Sequence, residues 1–298
     1  MKSDKLRIVP LLLMLTVGLL MPLSTGGTTP ASTPAPSLAK GEVLEDLRYQ
    51  VDVWFLRDAL RARVVLKRLG PRRYLAQARG RARGLLGVLS GHWRGMFSTE
   101  MTLVEGRFRP LLYREQCEHR NKRNLSEYRF DYANRKVELY KWDNDKKLLT
   151  KRWETELEEP MYDVLSFFYN QRLQGLSPIQ AGQTLRFRGI PYPQPEEIIL
   201  RIGPETPQGR KVMLTLRNPV FKEERSQVFV LVNRDGVPVT AWSHMLRLGR
   251  ITGKLVPGGR RLKNGQLQAL VSSTSPRKDI NRSKKGIHFV TLSRRRRV

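Results

Sequence analysis

The sequence predicts a mostly β protein, built as a large curved antiparallel sheet or incomplete (half) barrel with one main amphipathic helix packed on it. Between residues 43 and 257, about a dozen short segments alternate apolar and polar side chains and are separated by turn residues. One stretch, residues 158–173, instead has apolar side chains at helical spacing. Because the apolar face of a sheet must be covered, we expect this helix to lie against the concave side.

The N-terminus has the layout of a secretory signal peptide, predicted over residues 1–27. A basic start is followed by an apolar run over residues 8–23, which is shorter than the about 20 residues needed to span a bilayer. No cysteine lies directly after the run, so the sequence offers no thiol for lipid attachment. We therefore expect an exported protein that is soluble after cleavage and is not a lipoprotein. Cleavage near Gly26 and cleavage after Ala39 both fit the small residues present.

Three further regions follow the signal peptide. Residues 28–42 are rich in Thr, Ser, Pro and Ala and are predicted to form a tether. Residues 43–258 are long enough for a single β-rich domain, and residues 259–298 form a basic C-terminal extension. The single cysteine, Cys117, excludes an internal disulfide, so stability must come from the core.

The chain is strongly basic, with 55 Lys and Arg against 27 Asp and Glu and a net charge of +28. The cations are concentrated in residues 57–83 and in residues 277–297. Such a field attracts an anionic membrane surface or an envelope polyanion, and no nucleic acid is expected as a partner of an exported protein. The alternative is that these runs are a solvated face and a loose tail.

The strands predicted before the helix follow a period of two. Residues 125–131 and 136–142 form the clearest hairpin, with Tyr128 and Phe130 opposite Val137 and Leu139. The others are residues 49–55, 60–69, 74–83, 97–103, 108–115 and 148–157. Residues 85–96 contain glycines at spacings that favour neither regular structure, and they are predicted to be an irregular or bulged strand.

After the helix, the pattern predicts six more strands and one stiff connection. Residues 190–195 contain three prolines and are predicted to be extended. The strands are residues 184–189, 197–203, 211–217, 227–233, 237–242 and 248–256.

The helix is bounded by residues typical of helix ends. Glu158 and Pro160 suit a first turn, and Gly175 suits a stop. The residues predicted to face the sheet are Met161, Val164, Leu165 and Phe168. Asp163 is predicted to cap the helix, with the cation of Arg172 near its C-terminal end. The alternative is a ligand-facing row of Asp163, Ser166 and Tyr169.

Three motifs carry a resemblance to a known family: Pro160-x-x-Asp163-Val164-Leu165-Ser166-x-x-Tyr169-x-x-Arg172, Asp235-Gly236-Val237-Pro238-Val239 and Gly249-Arg250-Ile251-Thr252-Gly253-Lys254-Leu255. They resemble the signature of the bacterial exported domain of unknown function 3108 family. The resemblance implies an exported, periplasmic envelope protein of Gram-negative type, mostly β and without an established enzyme activity. Its signature residues, structural or groove-facing, are Asp163, Ser166, Tyr169, Arg172, Asp235, Pro238 and Gly253.

The sequence contains no recognisable catalytic motif. There is no Gly-x-Ser-x-Gly elbow, no His-Glu-x-x-His and no phosphate-binding glycine loop. Cys117 and His119 are adjacent soft ligands, but no second pair completes a tetrahedral metal site. We therefore predict no enzyme activity, no cofactor and no bound metal.

The leading hypothesis is a non-enzymatic binding or scaffold protein for an amphipathic, lipid-like envelope ligand or a partner protein. One alternative is an enzyme that processes envelope glycan or lipid, which requires acids and histidine converging in a groove. Another is a structural component of cell-envelope assembly, which requires a flat apolar patch. The sequence leaves the ligand and the oligomeric state open.

Overall fold

The computed structural model of the protein describes residues 41–120, 122–157, 161–172, 180–190, 195–216, 226–245 and 249–263. The predicted signal peptide, all but the end of the predicted tether, the start of the predicted helix and the tail after residue 263 lie outside this part of the chain, as do residues 191–194 of the predicted stiff connection.

In the part of the chain that the structure describes, fourteen strands form one antiparallel sheet. They are β1 (Glu42–Val53), β2 (Leu56–Arg68), β3 (Arg73–Ala82), β4 (Arg94–Val104), β5 (Arg107–His119), β6 (Lys122–Asp131), β7 (Lys136–Asp143), β8 (Leu148–Glu156), β9 (Thr184–Gly189), β10 (Glu196–Thr206), β11 (Gly209–Leu216), β12 (Ser226–Val232), β13 (Pro238–Met245) and β14 (Gly249–Leu262).

The sheet consists of two meanders joined at their outer strands. Strands β1 to β8 pair in sequence, strands β9 to β14 pair in sequence, and β14 pairs with β1. The two edges of the sheet are therefore β8 and β9, which are consecutive along the chain. Within the described residues these two edges share no pairing, so the sheet is not closed into a barrel.

Each predicted strand corresponds to an observed one, and most observed strands are longer. The predicted hairpin is confirmed, because Tyr128 is opposite Leu139 and Phe130 is opposite Val137. Strand β14 continues to Leu262, opposite Glu45 on β1. Residues 259–262, which the sequence assigns to the basic extension, are thus part of the central sheet.

Two helices are described: α1 (Gly84–Leu89) and α2 (Val164–Arg172). The prediction of an irregular strand over residues 85–96 is wrong, because α1 occupies its first half and β4 begins at Arg94. Two glycines mark the ends of the helix: Gly84, its first residue, and Gly91, two residues after its last, adopt the left-handed conformation with φ of 52° and 63°. Gly87 lies within the helix and does not disrupt it. Inside α1, Leu86 is buried in the core.

Glycine also makes room for the largest side chain between β3 and β4. Trp93 is buried beside Gly80 and Gly95, which are opposite each other on the two strands. A Cβ atom on Gly95 would lie 2.6 Å from the indole ring, and one on Gly80 would lie 3.2 Å from it. The indole therefore occupies space that a side chain at position 95 would need.

The sheet curls around α2, as predicted for a half barrel. Phe167 packs against Phe187 on β9 with ring centroids 5.0 Å apart, while Asn170 bonds the backbone of Phe108 on β5. In the strand order, β5 and β9 are ten steps apart, which would be about 48 Å in a flat sheet. A helix the length of α2 is only about 14 Å long. One short helix can touch both strands only because the sheet bends around it.

Within the described residues, no helix combines the length and the hydropathy required to cross a bilayer.

Candidate functional site

The start of α2 is fixed by the carboxylate of Asp163, which is fully buried. Its Oδ1 accepts hydrogen bonds from the backbone amides of Leu165 and Ser166, at 2.8 and 3.2 Å. Oδ1 also accepts from the Thr99 hydroxyl on β4 at 2.6 Å, and Oδ2 accepts from the Ser166 hydroxyl at 2.7 Å. Asp163 therefore caps the helix and ties its first turn to the sheet.

Burial dominates the acid–base behaviour of this group. Removal from water raises the pKa of Asp163, and the bonds from Thr99, Ser166 and the backbone amides offset part of that rise. Both carboxylate oxygens accept hydrogen bonds from the protein itself. In this arrangement the group is a structural cap.

Three of the four residues predicted to face the sheet, Met161, Val164 and Leu165, are buried, and Phe168 is half-buried. Met161 lies just before the first turn of α2 rather than in it. The helix also buries polar and aromatic side chains that the stripe does not include: Ser166, Tyr169 and Asn170. This wider burial follows from the curled sheet, which surrounds α2 and buries more than one of its faces.

The side-chain amide of Asn170 makes the two hydrogen bonds that a neighbouring strand would make to one residue of the sheet. Its Oδ1 accepts from the Phe108 amide at 2.7 Å, and its Nδ2 donates to the Phe108 carbonyl at 2.8 Å. The side-chain amide thus satisfies both polar groups of one buried strand residue.

The C-terminal end of α2 carries a buried ion pair. The Arg172 guanidinium contacts the carboxylate of Glu45 on β1, and their side chains are 4% and 0% exposed. Arg260 on β14 lies 3.9 Å from the other oxygen of Glu45 and itself pairs with Asp235. Burial lowers the pKa of Arg172, but Glu45 and the nearby tyrosines outweigh it, so the net shift is upward and the guanidinium stays charged.

The turn between β12 and β13 meets this ion pair. Gly236 has a φ of 73°, and a Cβ atom there would lie 3.7 Å from the Arg172 carbonyl oxygen. The carbonyl of Pro238 accepts a hydrogen bond from the Tyr49 hydroxyl at 3.1 Å. Burial raises the pKa of Tyr49, so this hydroxyl keeps its proton.

The structure therefore brings most of the signature residues together. Asp163 and Ser166 fix the start of α2. Arg172, whose guanidinium lies over the Tyr169 ring, is next to the turn that contains Asp235 and leads into Pro238. Gly253 stands apart, buried on β14 between Val51 of β1 and Ala241 of β13. It carries no polar group and serves packing between strands.

Sequence reasoning missed the partners of these residues: Glu45, Tyr49, Thr99, Asn170 and Arg260. Asn170 offered one signal, because it lies seven positions after Asp163 and so on the same helical face. The others lie on strands far along the chain and are brought to α2 only by the curl of the sheet.

The open side of the sheet, between the edge strands β8 and β9, combines apolar side chains with polar atoms. Half-buried apolar residues pack there against the core; they are Trp153 on β8, Phe167 and Phe168 on α2, and Leu185 and Phe187 on β9. Among the described residues, several buried polar atoms have no hydrogen-bond partner; they include Nε1 of Trp153 on β8 and both amide atoms of Gln171 on α2. Oη of Tyr169 also has none, but it lies beside Glu45 and Arg172 and not at the open side.

Metal-ligating and nucleophilic groups do not converge at this site. Within the described part of the chain, no three His, Cys, Asp or Glu side chains are close enough to hold an ion. Burial raises the pKa of Cys117, and Glu115 and Glu118 raise it further, so the thiol stays protonated.

A family model described as "Protein of unknown function (DUF3108)" matches residues 48–245. The chain belongs to the DUF3108 family. This confirms the resemblance found in the sequence, and the match includes α2 and the turn that meets its end. Glu45, Gly253 and Arg260 lie outside the matched residues.

Among solved structures, the DUF3108 chain is similar to one described as a β-barrel-like protein of domain of unknown function DUF1849 from Brucella abortus. The two share 10% identity over 76% of this chain and 100% of the other, with a TM-score of 0.43. No curated protein matches the chain.

Proposed function

We propose that this DUF3108 protein is a non-enzymatic periplasmic binding protein for an amphipathic, lipid-like ligand held on the open side of its sheet. One observation carries the proposal: half-buried apolar side chains on both unpaired edge strands and on α2, with buried polar atoms that lack partners nearby. Ligand pockets commonly combine an apolar lining with a few polar groups.

The acidic groups in the interior support binding rather than catalysis. Asp163 is saturated as a helix cap, and Glu45 is held by Arg172. Neither is placed as a free general acid or base, which must reach a reacting atom. The interior acids hold the shape of the site.

Native mass spectrometry of the protein purified from its own periplasm, with lipid extraction of the same sample, tests the proposal. We expect a co-purifying lipid or acyl chain. The variant Phe187→Ser should lose it, because a hydroxyl replaces an apolar ring on β9. A matched control, Phe229→Ser, changes a half-buried ring on β12, away from both edges, and should retain the ligand.

An empty protein that also fails to take up added lipids would overturn the proposal. Loss of the ligand in both phenylalanine variants, with folding intact by circular dichroism, would place binding elsewhere on the molecule and would equally contradict it.

A further inference from the structure

The outer face of strands β1 to β4 gathers arginines in register. Arg63 on β2 is opposite Arg48 on β1 and Arg79 on β3. Two residues further along β3, Arg81 is opposite Arg61 on β2 and Arg94 on β4. We call these six residues the arginine patch. Like charges directly opposite each other on a sheet are destabilising, so folding alone does not account for this arrangement.

Half of the patch has no acidic partner within the described residues. Arg63 pairs with Asp46 and Arg61 pairs with Asp58, each at about 3 Å or less. The three without such a pair are Arg79, Arg81 and Arg94, all of them exposed, although Arg94 also has Glu118 opposite it on β5. The patch also affects a neighbouring lysine. Burial is the largest cause of the lowered pKa of Lys67, and the positive charges of Arg79 and Arg63 lower that pKa further. The patch is thus a concentrated positive surface.

Exposed apolar side chains lie at the adjoining end of the same strands. Trp54 and Phe55, at the turn between β1 and β2, are 72% and 66% exposed. Leu85, Val88 and Leu89 on α1 are 57%, 65% and 61% exposed. We call these five residues the apolar end.

Contacts of Arg83 join the two parts of the apolar end. Arg83, next to α1, donates its amide to Ala59 at 2.8 Å and its guanidinium to Asp58 at 3.0 Å. The helix α1 is therefore anchored beside the turn that presents Trp54 and Phe55.

A recess lies between the arginine patch and the apolar end. It has a volume of about 310 Å³ and is lined by Arg81, Arg83 and His92, together with Ala82, Gly84 and Gly87. No carboxylate is among these lining residues. Its chemistry suits an anionic group such as a phosphate.

We propose that this end of the molecule docks on the surface of an anionic lipid bilayer. The apolar end enters the headgroup region, where tryptophan is favoured, and the arginine patch and recess bind lipid phosphates. A soluble polyanion would use the arginines and leave five apolar side chains exposed to water. An anionic bilayer can bind both the arginine patch and the apolar end. This surface is separate from the open side between β8 and β9.

Sedimentation of the purified full chain with vesicles of phosphatidylglycerol and phosphatidylcholine, against vesicles of phosphatidylcholine alone, tests the proposal. Each cation at an anionic surface contributes about fivefold in affinity. We expect the variant R79Q/R81Q/R94Q to bind the anionic vesicles at least about tenfold more weakly. The matched control R186Q/R188Q/R201Q removes three exposed arginines from β9 and β10 and should change binding less than about threefold.

The apolar end is tested with W54N/F55S and L85Q/V88Q/L89Q, which should each weaken vesicle binding by at least about fivefold. Tryptophan quenching by brominated lipids should be strong in the native protein. It should fall in Trp54→Phe, which keeps the apolar character and the binding. Unchanged circular dichroism and melting temperature confirm that each variant is folded.

Equal vesicle binding by the R79Q/R81Q/R94Q variant and its control would overturn the proposal, because the remaining charge of the chain would then carry the binding. Full binding by both apolar variants would also overturn it, because vesicle binding would then depend on charge alone and not on the apolar end. Loss of vesicle binding with retention of a co-purifying lipid would show that this surface and the open side act independently.

Discussion

At the scale of single residues, polar groups hold α2 in addition to its buried apolar residues Val164 and Leu165. The cap at Asp163, the amide of Asn170 and the pair of Arg172 with Glu45 each join the helix to a different strand. The sequence predicted the cap and the terminal cation, because both follow from residue type and position on a helix. It could not predict Glu45 or Thr99 as partners, because nothing local relates residues so far apart along the chain.

Glu45 and Arg172 should be strongly coupled in stability. Glu45→Gln or Arg172→Met leaves one buried charge without its partner, and each should lower the free energy of unfolding by about 3–5 kcal/mol. The double variant should lose much less than the sum. Urea unfolding of the four proteins measures this cycle, and additive losses would contradict the coupling.

Asp163 should make stability depend on pH in a defined direction. Its raised pKa means that the folded protein keeps this proton to a higher pH than the unfolded chain, whose Asp pKa is about 3.9. Its contribution to stability is therefore greatest below that pH and is lost as the pH rises through the folded pKa. The free energy of unfolding, relative to Asp163→Asn, should fall over this range and then level off. Urea titrations from pH 3 to 8 measure the difference, and a difference that rises with pH would show that the hydrogen bonds outweigh burial.

At the scale of elements, the alternation of apolar and polar residues was enough to locate the strands. It failed at α1, because glycines that usually break regular structure serve here as helix boundaries. It also ended β14 too early, because the polar residues from Pro257 onward hide a strand that pairs with β1. Pairing between distant strands set both the end of β14 and the position of Arg260 beside Glu45.

The β3–β4 pair offers a test of how closely Trp93 is packed. Gly95→Ala places a methyl group against the indole and should cost about 1–3 kcal/mol of stability. Gly80→Ala has more room and should cost less. Thermal unfolding monitored by tryptophan fluorescence compares the two variants. Equal losses would mean that the indole does not determine the requirement for glycine.

At the scale of the whole molecule, the fold class was predictable, and the arrangement of charge was not. A sequence shows that cations are numerous between residues 57 and 83, but the register of β2 against β3 decides which of them meet. Side chains alternate between the two faces of each strand. Because Ala62, Val64 and Ala78 face the core, Arg63 and Arg79 face outward, where they are opposite each other. Charge count and strand register together create the arginine patch.

The pairing of β1 with β14 has a consequence for the order of synthesis. Of the described strands, β1 leaves the ribosome first and β14 last, so one edge of β1 stays unpaired for almost the whole time that this part of the chain is being made. During that time Glu45 and Tyr49 lack Arg260 and Pro238, which belong to the last two of these strands. A nascent or prematurely ended chain that stops before Gly249 would leave β1 as an open edge of the β1–β8 sheet, where neighbouring copies could add to it. The last fifteen or so residues of the domain thus decide whether the first strand is protected from aggregation.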